Sequence, residues 1–189
     1  MKISARFIKS SQQAFTLVEL LVVIGILGVL MTVALAAINP AEAQRKARDT
    51  QRMKDMATLQ TAFEQYLSDG GTAPATTGAS PLTSATATTG CTAATNWTGL
   101  NLCNYLSKVP SDPVNNVSTK TAVGVASGTG TAQTTAHATV YKLGYDSTTG
   151  TYKFCTYLES KSNATKLYND GGTNTDSFEV FTDSTLTCL

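Results

Sequence analysis

Hydrophobic positions are spread very unevenly along this chain. From Phe15 to Ile38 they are nearly continuous, 24 residues in which Glu19 is the sole ionisable side chain. As a helix at about 1.5 Å per residue that run reaches about 36 Å, enough to cross a bilayer core with some tilt. It is apolar all round, which predicts burial on every side, in lipid or among like helices. After Asn39 the pattern changes: Met56, Leu59, Phe63, Tyr66 and Leu67 recur at spacings of three and four. That predicts an amphipathic helix over 39–69 with one apolar face packed on a sheet. "NPAE" (Asn39 to Glu42) is either its start, with Asn39 as N-cap, Pro40 in the first helical position and Glu42 reaching back, or a kink in one longer helix. "DGG" (Asp69 to Gly71) ends it.

Beyond that point helical periodicity fades. Thr72 to Thr95 is rich in Thr, Ala, Gly and Ser and predicts a long surface loop. Trp97, Leu100, Leu102, Tyr105 and Leu106 predict a short buried helix or turn tied down by Cys103, and "KVPSDP" (Lys108 to Pro113) breaks the chain twice. "TVYKLGY" (Thr139 to Tyr145) and "TYKFCTYL" (Thr151 to Leu158) alternate as strands, joined by the turn "DSTTG". Their apolar sets are Tyr141, Leu143 and Tyr145 on one face and Tyr152, Phe154, Thr156 and Leu158 on another; "SFEVFT" (Ser177 to Thr182) predicts a third strand. The expected class is α+β: a long N-terminal helix, half membrane-type and half amphipathic, on a small antiparallel β-sheet within a loop-rich region over 70–189.

Composition narrows the function. A net charge of +1 over 189 residues singles out no partner by bulk charge. There is no phosphate-binding glycine loop, no Ser or Cys nucleophile in a known setting and no second histidine beside His137, so a structural or binding role is expected rather than an enzyme. All four cysteines, Cys91, Cys103, Cys155 and Cys188, follow the apolar run, and an even count beyond a translocated segment predicts disulfides. Of three pairings, the expected one joins Cys91 to Cys103 and Cys155 to Cys188. Arg45, Lys46, Arg48, Arg52 and Lys54 form a basic cluster. Its helical partners, Glu42 with Lys46 and Arg45 with Asp49, predict a solvated or subunit-bridging face; DNA or anionic lipid is the sharper alternative. "NDGGTNTDS" (Asn169 to Ser177) offers Asp170, Asn174 and Asp176 as a weak calcium candidate without EF-hand spacing, against a plain turn. Asn96, Asn116 and Asn163 begin N-x-S/T sequons.

Glu19 poses the sharpest question, because a carboxylate at a membrane helix centre costs about 2.5 to 3.5 kcal/mol and less near an interface. Two readings stand: Glu19 is tolerated at headgroup level, or it awaits a positive partner from another subunit. "ALAAI" (Ala34 to Ile38) offers an ordinary signal-cleavage site, opposed by the length of the run and by Glu19 itself.

The words "AFTLVELLVVIGILGVL" resemble the class III signal of type IV pilins and of type II secretion pseudopilins. The resemblance implies a leader from Met1 to Ala14, carrying Lys2, Arg6 and Lys9, then a filament-core helix over 15–38. A prepilin peptidase would cut between Ala14 and Phe15 and methylate the new amine of Phe15, although the family prefers Gly where this chain has Ala14. Glu19 would meet the amine of a neighbouring subunit during assembly, driven by an assembly platform and its ATPase. Gly25, Gly28, Ala34, Ala36 and Ala37 would allow close helix approach, and Gly28 and Pro40 would bound a stretch that loosens in the filament. The five basic residues after the apolar run outnumber the three before it, against the positive-inside rule. The family motif is preferred over that count.

The resemblance thus implies a pilin-like homo-oligomeric filament, anchored in the bacterial cell membrane before assembly and extracellular afterwards, serving adhesion, motility or DNA uptake. The alternative is a major pseudopilin, for which "KVPSDP" and a calcium-binding late loop would speak; a third reading is a minor tip subunit.

Overall fold

The computed structural model describes residues 15–37, 39–73, 81–86, 90–115, 121–125 and 132–188. The leader with Ala14, Ile38 and the Asn116 sequon lie outside them. The chain divides after Pro40 into two compact units.

In the first unit helix α1 runs over Leu17–Ala37. Its many β-branched residues are indifferent helix formers in water, but in lipid a helix satisfies every backbone group internally. Helix α2, Pro40–Ser68, begins at the proline and carries the second unit. Its end follows from the double glycine. The N–H of Gly70, at φ +83°, bonds to the Leu67 carbonyl, and that of Gly71 to the Tyr66 carbonyl at 2.9 Å. A Cβ on Gly71 would lie 2.6 Å from that carbonyl oxygen.

Six strands follow: β1 (Leu82–Thr83), β2 (Thr121–Val125), β3 (Ala132–Ala136), β4 (Tyr141–Asp146), β5 (Thr151–Thr156) and β6 (Phe178–Phe181). A 3-10 turn (Lys161–Asn163) and the short helix α3 (Ala164–Tyr168) lie between β5 and β6. The main sheet has the order β1-β4-β5-β6, antiparallel throughout, and β2 pairs with β3 in a separate hairpin. This is the α+β arrangement expected, consistent with a pilin-like fold.

The β4–β5 register sets Leu143 opposite Phe154 and Tyr145 opposite Tyr152. Directly opposed residues share a face, so the two apolar sets form one surface rather than two as far as Thr156, while Leu158 lies beyond β5 and packs with Ala164 and Leu167. Against it α2 lays Met56, Leu59 and Phe63, with Tyr66 and Leu67 half-buried beside them, as their spacing predicts. Phe63 is the hub, edge-on to Tyr145, Tyr152 and Phe154 at ring distances of 5.9, 5.1 and 5.7 Å. Trp97, Leu100 and Leu102 close the core from a turn-rich segment. The structure joins Cys91 to Cys103 and Cys155 to Cys188, with Cα separations of 4.9 and 6.1 Å.

Two elements depart from the sequence expectation. Leu82–Thr83 falls in the stretch expected as loop, yet it pairs with β4. There Ser84 is buried, its Oγ accepting the Tyr141 N–H and donating to Asn115 Oδ1. The paired strands β2 and β3, of Thr, Ala, Gly, Val and one Gln, have no apolar alternation to reveal them. Both owe their form to backbone pairing.

Candidate functional site

The N-terminus of α1 holds the first candidate. Thr16 precedes the helix, and its Oγ1 accepts the Glu19 N–H at 3.2 Å. In return Glu19 Oε2 accepts the Thr16 N–H at 3.0 Å and the Thr16 hydroxyl at 2.9 Å. This is a capping box, in which two helix-terminal donors are satisfied reciprocally. It holds the carboxylate at the positive end of the helix dipole, one turn from Phe15. The Thr-x-x-Glu spacing is the signal of this cap in the sequence, masked by the stronger apolar run around it.

Every side chain from Phe15 to Ala34 is exposed in the isolated chain, Leu17 by 87%. Gly25 and Gly28 have no atom within 4 Å of where a Cβ would stand. Leu21, Val22, Gly25, Ile26, Val29 and Leu30 form a shallow apolar groove. The surface is thus apolar, notched and uncovered over a length fit to cross a membrane. Gly28 lies within the unbroken helix, and Pro40 opens the next one.

Two of the five residues in the basic cluster, Arg48 and Arg52, depart from the solvated or subunit-bridging face expected of it. Arg52 is fully buried, and its guanidinium grips Asp112 through Nε at 2.6 Å and Nη2 at 3.0 Å. Nη1 donates to Asp49 at 2.8 Å, and Nη2 also meets Glu159 at 2.7 Å. Arg48 holds Glu159 through two nitrogens, at 2.9 and 2.5 Å. Asp49 does not pair with Arg45; it accepts the backbone N–H groups of Glu159 and Ser160 and the Asn163 amide. It therefore holds the backbone that leads into the 3-10 turn from another element, while Arg45 turns back to Glu42 at 3.5 Å. Glu42 also accepts the Ser160 hydroxyl.

Two guanidinium charges face three carboxylates here, and the backbone N–H groups on Asp49 and one from Val114 on Asp112 offset the excess. Burial by itself would lower the Arg52 guanidinium, but its bonds and attraction to Asp112 and Glu159 hold it above its ordinary value. Burial likewise opposes ionisation of Glu159, and Arg48 and Arg52 overcome it and hold the carboxyl low. Asp55, beside the Tyr141 hydroxyl, is raised by burial, which the bonds from Tyr141 and Gln51 only partly offset. This cluster fastens α2 to the segment between β1 and β2 and to the turn between β5 and β6. Arg52 is withdrawn from any contact with nucleic acid or lipid; Arg45, Lys46 and Lys54 remain exposed.

In the late loop, Asp170 accepts the N–H of Gly172 on Oδ1 and of Glu179 on Oδ2, both at 2.8 Å. Asn174 Oδ1 accepts the Asp176 N–H. Burial pushes the Asp170 carboxyl up to about 6. Among the described residues no group of three or more His, Cys, Asp or Glu is placed to hold a metal ion. Two sequons are closed as well. The Asn96 amide donates to the carbonyls of Cys91, Thr92 and Leu100, and the buried Asn163 amide donates to Asp49.

No curated protein and no solved structure matches this sequence. A family model described as the prokaryotic N-terminal methylation motif matches residues 9–35, the stretch that contains Phe15, Thr16, Glu19 and most of α1. The capped acidic start and uncovered apolar helix described above are therefore part of the class III signal of type IV pilins and pseudopilins, which this chain carries.

Proposed function

We propose that this chain is the structural subunit of a type IV pilus, a homo-oligomeric filament used outside the cell in adhesion, motility or DNA uptake. The methylation motif, set on a helix whose side chains are all exposed from Phe15 to Ala34, carries the reading. The motif implies a structural subunit processed by a prepilin peptidase. Membrane anchoring before assembly is consistent with α1.

Cleavage between Ala14 and Phe15 creates a cation on Phe15, which the peptidase methylates. In the single subunit Glu19 has Thr16 as its partner. When a neighbour's Phe15 amine arrives, the carboxylate gains an opposite charge in a low-dielectric bundle, where attraction is stronger than in water. Docking fixes the axial position of each subunit while the apolar surfaces and the glycine notches pack together. The second unit, held by its core and two disulfides, is displayed outward.

The major-pseudopilin reading has the proline loop "KVPSDP" in its favour. In this chain Asp112 of that loop serves the buried Arg52. The two disulfides and Thr-rich loops support the pilin.

Intact mass and N-terminal sequence of the protein in material sheared from its native cells test the proposal. A chain that begins at Phe15 and carries one added methyl in that fraction supports a pilin. A processed chain confined to the cell envelope favours the pseudopilin, and a chain beginning at Met1 or after Ala37 refutes both.

A further inference from the structure

Lysine is almost never fully buried unless it is paired, and Lys153 in the middle of β5 is only 2% exposed. Its ammonium meets Glu179 Oε2 at 2.9 Å, the Ser184 carbonyl at 2.9 Å and Thr173 Oγ1 at 3.3 Å. One face lies over the Phe181 ring, 5.7 Å from its centre. The three oxygens are a carboxylate, a carbonyl and a hydroxyl, and they come from β6, the loop before it and the C-terminal tail.

Mixed oxygen sets gathered from separate segments are what hard divalent cations recruit. Here the same task falls to an ammonium. The surrounding groups are arranged to suit it: Glu179 Oε2 also accepts the Thr173 N–H at 3.0 Å, and the Thr173 hydroxyl donates to the Ser184 carbonyl. A Cβ at Gly172 would fall 1.8 Å from Glu179 Oε2, so the glycine makes room for the carboxylate. Calcium, which the family resemblance raised for this loop, does not fit. Both Asp170 oxygens and the Asn174 oxygen accept backbone N–H groups, and the charge that would draw a metal is already met by Lys153.

We propose that the Lys153 ammonium is the built-in cation of the late loop, holding loop, β6 and tail together in place of a divalent metal. The tail is then locked twice to β5, covalently through Cys155–Cys188 and through the hydrogen bond from the Lys153 ammonium to the Ser184 carbonyl. Its order does not depend on calcium outside the cell. A shallow polar pocket lined by Lys153, Thr173, Asn174 and Glu179 reaches solvent beside the ammonium, which gives a small ion a route in once the side chain is cut back.

Thermal unfolding of the full-length processed protein in detergent, with EDTA or millimolar calcium, tests this. Wild type is expected to unfold at one temperature in both. Lys153→Ala is expected to lose about 5 °C or more in EDTA, because Glu179 is left buried without its cation, and to recover most of that loss in calcium. Lys153→Met fills the space without the charge and is expected to lose stability with no recovery.

A wild-type midpoint that shifts with calcium overturns the proposal. So does an unchanged Lys153→Ala midpoint in EDTA, or a calcium response no larger than that of Lys153→Met. If neither variant folds, the wild-type comparison alone decides between a filled and a metal-requiring site.

Discussion

Helices α1 and α2 follow one another in the chain and treat polarity in opposite ways. α1 is apolar and leaves all its side chains uncovered from Phe15 to Ala34, whereas α2 is rich in charge and buries Asp49 and Arg52 completely. The difference lies in where the partners are. Those of α2 belong to the same chain, so its charges are neutralised and its apolar stripe is covered on folding. Nothing in the described residues covers α1, and burying that much apolar surface calls for lipid or other copies of the helix. The single charged group of α1 is the one that a second subunit is proposed to satisfy.

The most damaging change to this contrast is Glu19→Ala. Leader cleavage and membrane insertion are expected to continue while sheared filament falls about tenfold or more, the result of losing about 1.4 kcal/mol or more per docking event. Wild-type filament yield from this variant would sink the charge-docking account. On the other side, Arg52→Ala leaves Asp49 and Asp112 buried without their cation and Glu159 with Arg48 alone. The expected loss is about 3 to 5 kcal/mol, seen as a fall of about 10 °C in the unfolding midpoint with leader processing unaffected. A shift of a degree or less would mean that solvent reaches the cluster.

Thr16→Ala sharpens the reading of the capping box. Removing an N-cap costs about 1 kcal/mol, so filament yield should fall, but less than with Glu19→Ala measured in parallel. Equal losses would mean that Thr16 acts in docking itself.

The smallest effect is that of pH on the second unit. Burial raises the carboxyls of Asp170, up to about 6, and of Asp55 above their ordinary value of 3.8. Between those values the folded state binds protons that the unfolded chain does not, so stability rises as pH falls through about 6. Glu159 acts the other way: its carboxyl is held below 4.5, so its contribution is intact above 4.5 and is lost as pH falls below it. The unfolding midpoint should therefore rise by about 1 to 3 °C from pH 7 to pH 5 and then decline. A monotonic fall from pH 7 would show that Asp170 and Asp55 are better solvated than their surroundings imply.

The apolar stripe of α2 was legible because helix packing on a sheet imprints a local spacing of three and four residues. The fate of its charges was not. Arg45, Lys46, Asp49 and Arg52 form helical pairs as compatible with water as with a core, and the deciding partners are distant: Asp112 is 60 residues from Arg52, and Glu159 is 111 from Arg48. The same distance hid β1, which forms because a free edge of β4 is available to it. Lys153 stood in a clearly alternating strand, but its burial depends on Glu179 and Ser184 arriving from beyond the next loop.

By itself the sequence determined the fate of α1. Solvent transfer depends on the summed apolarity of a continuous segment, and the processing signal is read by its linear order. Which charges became part of the second unit's interior was decided by tertiary structure alone. An ion leaves water only where oppositely charged and hydrogen-bonding groups converge on it in three dimensions, and that convergence has no local signature in the order of the residues.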